Sequence, residues 1–164
     1  MTAKIAADYR ELVGILAPER AEGRSVALAN GCFDVLHVGH VRLIADARQE
    51  ADILVVALNS DASVRSNKGP GRPYVPLDER MEVLSALDGV AYVTSFDEPT
   101  AGPLLATLQP EVHVKGSDWT EETVPERDIV RGYGGRIAIC GDIKAHASSD
   151  LIRRLEGRAP DQDV

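Results

Sequence analysis

Residues 25–58 read SVALANGCFDVLHVGHVRLIADARQEADILVVAL, and the spacing of their apolar residues changes twice along the stretch. Residues 25–30 and 53–58 are short runs rich in apolar residues, without the alternation of a half-exposed strand. Strands buried on both faces of a sheet look like this. Between them Val41, Ile44, Ala45 and Ala47 recur at helical spacing with polar residues opposite, which predicts a helix starting near Gly39. Strand, helix, strand is the opening unit of a parallel sheet.

The same alternation continues outward. Leu77, Met81, Leu84 and Leu87 share one helical face, residues 90–94 read as a strand and residues 103–108 as a short helix. Residues 112–115 and 136–139 supply two more strands. The expected fold is α/β, a Rossmann-like doubly wound parallel sheet of five strands with helices on both faces. One domain is expected, with a core over about residues 25–156. Residues 1–20 are expected to hold an N-terminal helix, amphipathic over residues 5–16 through Ile5, Tyr9, Leu12, Val13 and Leu16, that covers a sheet edge or a partner. Residues 157–164 read as a frayed tail. Residues 59–76 read as one long loop without periodicity, carrying Arg65, Lys68 and Arg72 beside Gly69 and Gly71. Such a loop is either a moving, anion-binding segment or a plain surface loop.

Composition narrows the function classes. The 164 residues are 44% hydrophobic and 27% charged, ordinary for a soluble globular domain, and no apolar run approaches the roughly 20 residues that span a bilayer. No secretory signal pattern opens the chain, so a cytoplasmic location is expected. A net charge of -8 argues against a nucleic-acid partner, but leaves room for a small anion wherever basic residues gather. Cys32 and Cys140 are too few for a disulfide framework and read as buried thiols.

His37 and His40 fall where the first strand has ended, Gly31 has turned the chain and a helix begins. Ligands of open parallel sheets bind at the carboxyl ends of strands. A helix start adds backbone N–H groups and positive potential suited to phosphate, and Gly39 lets phosphate approach the main chain. Four roles compete for the two imidazoles. A metal pair lacks further ligands at close spacing in the sequence. A general base has nothing to do for an attacking phosphate that is already anionic. A packed core role is less natural for two histidines flanking a glycine. Hydrogen-bond donation to charge developing on a transferring phosphoryl group fits best.

With those residues in place, NGCFDVLHVGH resembles the signature of the cytidylyltransferase-like nucleotidyltransferases, whose HxGH binds the nucleotide triphosphate and stabilises the pentacoordinate transition state. The resemblance extends through LNSDASV (58–64), KGPGRPYVPLDERMEVLSAL (68–87) and VKGSDW (114–119). Within the family, the RP..PL..RM..L.AL run and VKG.D are similar to the heptose 1-phosphate adenylyltransferases rather than to glycerol-3-phosphate cytidylyltransferase. The resemblance implies attack by a sugar 1-phosphate on the α-phosphorus of ATP, with Mg2+ held mainly by phosphates and water and no dedicated protein metal site. It also implies surface-polysaccharide precursor synthesis and a homodimer.

By the same resemblance His37, His40, Lys68 and Arg80 are the expected catalytic residues, with Arg80 contacting phosphate or substrate and Lys68 and Arg72 closing over ATP. Nucleotide contacts are expected from Gly31, Cys32, Phe33, Asp34, Gly39, His40, Lys115, Gly116, Asp118, Ser148 and Ser149. Acceptor contacts are expected from Asn59, Asp61, Arg72 and Lys115. Where the family has Ser-Thr-Thr this chain has Ala147, Ser148 and Ser149, followed by Asp150, so one hydroxyl is lost. Trp119, the single tryptophan, has two readings, as a cover for an apolar ring or for a helix. The GYGG at 132–135 precedes a strand and reads as a turn rather than a dinucleotide loop. Two other functions stay open: a cytidylyltransferase acting on glycerol 3-phosphate or another phosphorylated acceptor, and a nucleotide-binding regulator without catalysis.

Overall fold

The computed structural model describes residues 3–142 and Ile152. The expected Ser148 and Ser149 contacts, Ala147, Asp150 and the tail lie outside the described residues. In chain order the elements are β1 (Lys4–Ile5), α1 (Glu11–Ala21), β2 (Val26–Gly31), α2 (Val38–Ala47), β3 (Ile53–Asn59), α3 (Asp61–Lys68), α4 (Leu77–Ser85), β4 (Tyr92–Phe96), α5 (Gly102–Leu108), β5 (Val112–Gly116), α6 (Arg127–Gly132) and β6 (Arg136–Cys140). The strands form one sheet in the order β1-β4-β3-β2-β5-β6, and every described pair is parallel.

Both faces are covered, which is why β3 is buried at every residue and shows no alternation. Val26, Leu28, Val55 and Ala57 face Leu12, Leu16, Leu104, Leu105 and Val130 of α1, α5 and α6. Ala27, Ala29, Leu54 and Val56 face Ile44, Met81 and Leu84 of α2 and α4. Alternate residues of one strand thus feed two separate cores.

Four expectations need correction. The sheet has six strands, because β1 pairs with β4 in register Lys4↔Tyr92 and Ile5↔Val93. Ile5 therefore belongs to a strand, where it is 51% exposed, and not to the first turn of a helix. The Asp8 carboxylate accepts from Arg10 N–H and the Asp8 carbonyl from Glu11 N–H, so α1 begins only after Asp8. Of the stripe read over 5–16, Tyr9, Leu12 and Leu16 are buried while Val13 stays exposed. Residues 59–76 are not a single loop, because α3 occupies 61–68, started by the Ser60 hydroxyl accepting from Ser63 N–H. The sequence reading also lacked α6.

The GYGG stretch does turn the chain. Gly134 has φ 87°, and Gly135 N–H reaches back to the Val130 carbonyl at the end of α6. A Cβ on Gly135 would lie 2.9 Å from the Pro110 carbonyl oxygen, so no side chain fits there.

Strand order positions the site. β2 lies between β3 and β5. The chain leaves β2 toward β3 on one side and reaches β5 on the other only after β4, so the crevice expected at such a reversal of strand order lies at the carboxyl ends of β2 and β5.

Candidate active site

The turn after β2 carries both histidines to that crevice. Phe33 takes a left-handed conformation, φ 48°, which costs a bulky residue about 1 kcal/mol or more. Its ring is buried, packs 5.2 Å from the His40 ring, and lies 3.2 Å from where a Cβ on Gly31 would sit. A side chain at residue 31 would therefore press on the Phe33 ring, which would have to shift to admit it. His37 caps α2: its Nδ1 accepts from Gly39 N–H at 3.1 Å, and His40 Nδ1 accepts from His37 N–H at 3.3 Å. The rings lie 3.9 Å apart, centroid to centroid, with 36° between their planes.

Backbone N–H groups can only donate, so each Nδ1 must present a lone pair, and the proton of each neutral ring sits on Nε2. Neither imidazole keeps a lone pair with which to act as a base in this state. The N–H of each ring is therefore at Nε2. Burial, with the neighbouring His37 adding to it, pushes His40 down to about 4, so this ring stays neutral near pH 7.

The expected basic residues come to the same turn with different tasks. Arg80 is 2% exposed and so is not a surface cation. Its Nε donates to the Val75 carbonyl at 2.9 Å, Nη1 to the carbonyls of Cys32 and Asn59 at 2.6 and 3.0 Å, and Nη2 to Asp61 at 2.6 Å. One guanidinium therefore binds together the end of β3, the turn after β2 and the loop before α4.

Asp34, expected at the nucleotide, is buried and taken up by the protein. It accepts from Arg72 Nε at 2.5 Å and from the N–H groups of Tyr74 and Val75 at 2.7 and 3.0 Å. Arg72 also lies 4.8 Å over the Tyr74 ring. Closure of residues 72–75 over ATP would have to break three bonds to a buried carboxylate. Gly69 and Gly71, at φ 95° and 89°, bracket the turn before that pinned segment.

Lys68 is the exposed last residue of α3 rather than a loop residue. Burial pushes the Cys32 thiol up, and the charges of Lys68, Arg80 and Arg72 act in the opposite sense, so all three cations surround one turn. The Asn59 side chain is buried and directed inward, donating to the Ser63 hydroxyl at 3.0 Å and accepting from Cys32 Sγ at 3.8 Å. Asp61 is engaged by Arg80.

The second lip is built by β5. Burial holds the Lys115 ammonium below the usual lysine range against the pull of Glu126, whose Oε2 lies 3.7 Å away. Trp119 lies 5.3 Å from that ammonium, so it shields a cation, a role absent from both readings of the sequence. A Cβ on Gly116 would lie 3.4 Å from Leu43 of α2. Asp118 lies exposed just beyond. Sequence reasoning missed Glu126, which no motif marks. It also missed that His113 and Asn30 meet at 2.9 Å across β5 and β2. A histidine inside the apolar strand VHVKG was the available signal.

Burial also pushes His113 down, to about 3, with Lys115 adding to the effect. Both His40 and His113 bind protons in the unfolded chain, near pH 6.5, before they do so when folded, so stability rises with pH across that window. The contribution is full above about pH 6.5 and is lost as pH falls toward the folded values of about 4 and about 3. At pH 5 each histidine should have cost about 2 kcal/mol. Urea unfolding at pH 7 and pH 5 should show this loss, halved in His113→Leu; equal losses in variant and wild type would contradict it.

Comparison with known proteins adds the family. Residues 28–155 match the family model described as Cytidylyltransferase-like. The chain is 45% identical over 144 residues to the bifunctional protein HldE of Syntrophotalea carbinolica and to that of Geobacter sulfurreducens, covering 88% of this chain and 29% of each relative. It is 44% identical over 148 residues to the same protein of Trichlorobacter lovleyi, covering 90% of this chain and 30% of that one. The chain thus spans under a third of the length of these relatives. A solved structure titled as the lipopolysaccharide core biosynthesis protein from Thermoplasma volcanium superposes with a TM-score of 0.63 over 74% of this chain and 100% of that one. At 22% identity it speaks for the fold alone. The histidine turn, the crevice between β2 and β5 and the match over residues 28–155 together show that the chain belongs to the cytidylyltransferase-like family of nucleotidyltransferases.

Proposed function

We propose that this chain, acting as a single catalytic unit, transfers AMP from ATP to D-glycero-β-D-manno-heptose 1-phosphate, giving ADP-heptose and pyrophosphate. The carrying observation is the histidine pair at the mouth of β2, whose Nδ1 atoms both accept from backbone N–H groups so that each neutral ring carries its proton on Nε2. The choice of acceptor is supported by the RP..PL..RM..L.AL and VKG.D runs and by the likeness to HldE proteins.

In this reading an acceptor phosphate oxygen forms a bond to the α-phosphorus while the bond from that phosphorus to the bridging oxygen breaks. The electron pair leaves with pyrophosphate. No proton has to be removed from the nucleophile, which agrees with two imidazoles that donate hydrogen bonds and hold no lone pair for a proton. Donors fixed before the reaction stabilise charge on the pentacoordinate phosphoryl group without reorganisation. His40, kept neutral by burial, donates without carrying a charge of its own. Lys68 supplies positive charge from the exposed end of α3, and the backbone at Gly31, Cys32, Phe33 and Gly39 lies beside the phosphates. Lys115, Gly116 and Asp118 border the nucleotide from β5.

Mg2+ accompanies the nucleotide in this reading and neutralises its β and γ phosphates. In this reading phosphate oxygens and water are its main ligands. No described helix is long and apolar enough to cross a membrane, and a cytoplasmic homodimer is part of the proposal. Light scattering on the purified chain checks the dimer.

The test is pyrophosphate release with Mg2+. ATP with heptose 1-phosphate should turn over, and either compound alone should not. Equal turnover of CTP with glycerol 3-phosphate would transfer the assignment to a cytidylyltransferase, and nucleotide binding without turnover on any acceptor would make the chain a regulator.

A further inference from the structure

His113 sits in the middle of β5, opposite Leu28 of β2, and is fully buried. Its Nε2 lies 2.9 Å from Asn30 Oδ1, while its Nδ1 is buried with no partner among the described residues. A proton on Nδ1 would bury an N–H without an acceptor, whereas a proton on Nε2 leaves only a lone pair unmet, and orphaned donors are the rarer of the two. The proton therefore belongs on Nε2, donated to Asn30. Asn30 in turn must direct its oxygen toward His113, which turns its NH2 group away from β5's interior.

Asn30 is partly exposed and stands immediately before Gly31, at the carboxyl end of β2 where the crevice opens. Among the described residues no acceptor meets its NH2 group. Lys115, two residues beyond His113, projects from the same face of β5. An amide with fixed donors beside an ammonium suits an oxygen-rich anionic ligand.

We propose that His113 is a positioning residue that orients the Asn30 amide, and that the Asn30 NH2 group binds a phosphate oxygen of the nucleotide in the crevice between β2 and β5. The inference rests on the nucleotide reading above and extends it to two residues outside the motif. Without His113 the amide can rotate and offer its oxygen to phosphate, which is repulsive.

A double-mutant cycle tests the coupling. The affinity for ATP is titrated without acceptor, and kcat and KM are then measured with it. Asn30→Ala should weaken ATP binding about tenfold, the scale of one hydrogen bond to a charged group. His113→Leu keeps apolar volume and removes the donor, and should lose a similar factor, while His113→Gln restores a donor and should recover most of it. Asn30→Asp keeps an acceptor for His113 but offers phosphate a negative charge, and should bind ATP worse than Asn30→Ala. The decisive variant is Asn30→Ala with His113→Leu together, which should bind ATP as Asn30→Ala alone does.

Multiplied losses in the double variant, or unchanged ATP affinity in Asn30→Ala, overturn the proposal. If His113→Leu fails to fold, the Asn30→Asp and Asn30→Ala comparison decides alone, since that side chain reaches solvent. Because binding is titrated without acceptor, the wrong choice of acceptor sugar leaves this result intact, whereas loss of turnover on every acceptor with intact binding counts only against the transferase reading.

Discussion

His40→Ala should lower kcat by about a hundredfold or more while the ATP dissociation constant changes only a few-fold. The expectation follows from where the proton is. His40 Nδ1 is engaged by His37 N–H, so the ring offers Nε2–H, and burial keeps it neutral down to about pH 4. A neutral donor contributes little to a ground state already rich in cations, and more as charge accumulates on the transferring group. The substitution has a second effect that must be separated from the first. It removes the acceptor of the His37 N–H and so weakens the start of α2, a loss of about 1 kcal/mol.

His40→Asn separates the two. An asparagine at the third helical position can reach back to the His37 N–H and should recover stability in urea unfolding, but its shorter amide does not extend to the place of Nε2. Turnover should stay low. A His40→Ala enzyme with normal kcat and weakened ATP binding would show that the ring binds substrate and does not serve the transition state.

The parts of the fold that could be read in advance are those where one physical signal dominates. β2, β3 and α2 are legible because burial on both faces writes continuous apolar runs, and a helix with one buried face writes a period. β1 was not legible, since its two residues pair through backbone N–H and C=O groups while both side chains remain exposed. α3 was hidden because DASVRSNK buries only Ser63 and Val64, so little periodicity marks it.

The site divides in the same way. HVGH at a strand-to-helix turn announces itself through local chemistry. The tasks of Arg80, Asp34 and Asn59 do not, because their partners lie as far as 48 residues away in sequence and only the folded chain brings them together. A basic residue at the start of a helix reads as a surface cation or a ligand contact. Nothing in the sequence shows that three carbonyls wait for it.

That arrangement makes Arg80 the residue whose loss should cost stability most. In Arg80→Leu the carbonyls of Cys32, Asn59 and Val75 lose their donor, and Asp61 loses its partner. Breaking a buried ion pair from one side costs about 3–5 kcal/mol, an upper bound here because only the arginine is buried. Asp61 is one-third exposed and can be rehydrated, so most of the loss should come from the carbonyls. In urea the midpoint should fall with the slope unchanged, the sign of lost stability without a change in the surface exposed on unfolding. Arg80→Lys should recover only part of it, since an ammonium lacks the planar fork that reaches three carbonyls and a carboxylate at once.

Activity should fall alongside stability, because Arg80 holds the Cys32 carbonyl at the root of the turn that carries His37 and His40. The two possible tasks of this arginine separate cleanly. A brace predicts a lowered urea midpoint, with ATP affinity recovering when temperature is reduced and the fold is restored. A phosphate contact predicts lost ATP affinity at an unchanged midpoint, and that outcome would refute the brace.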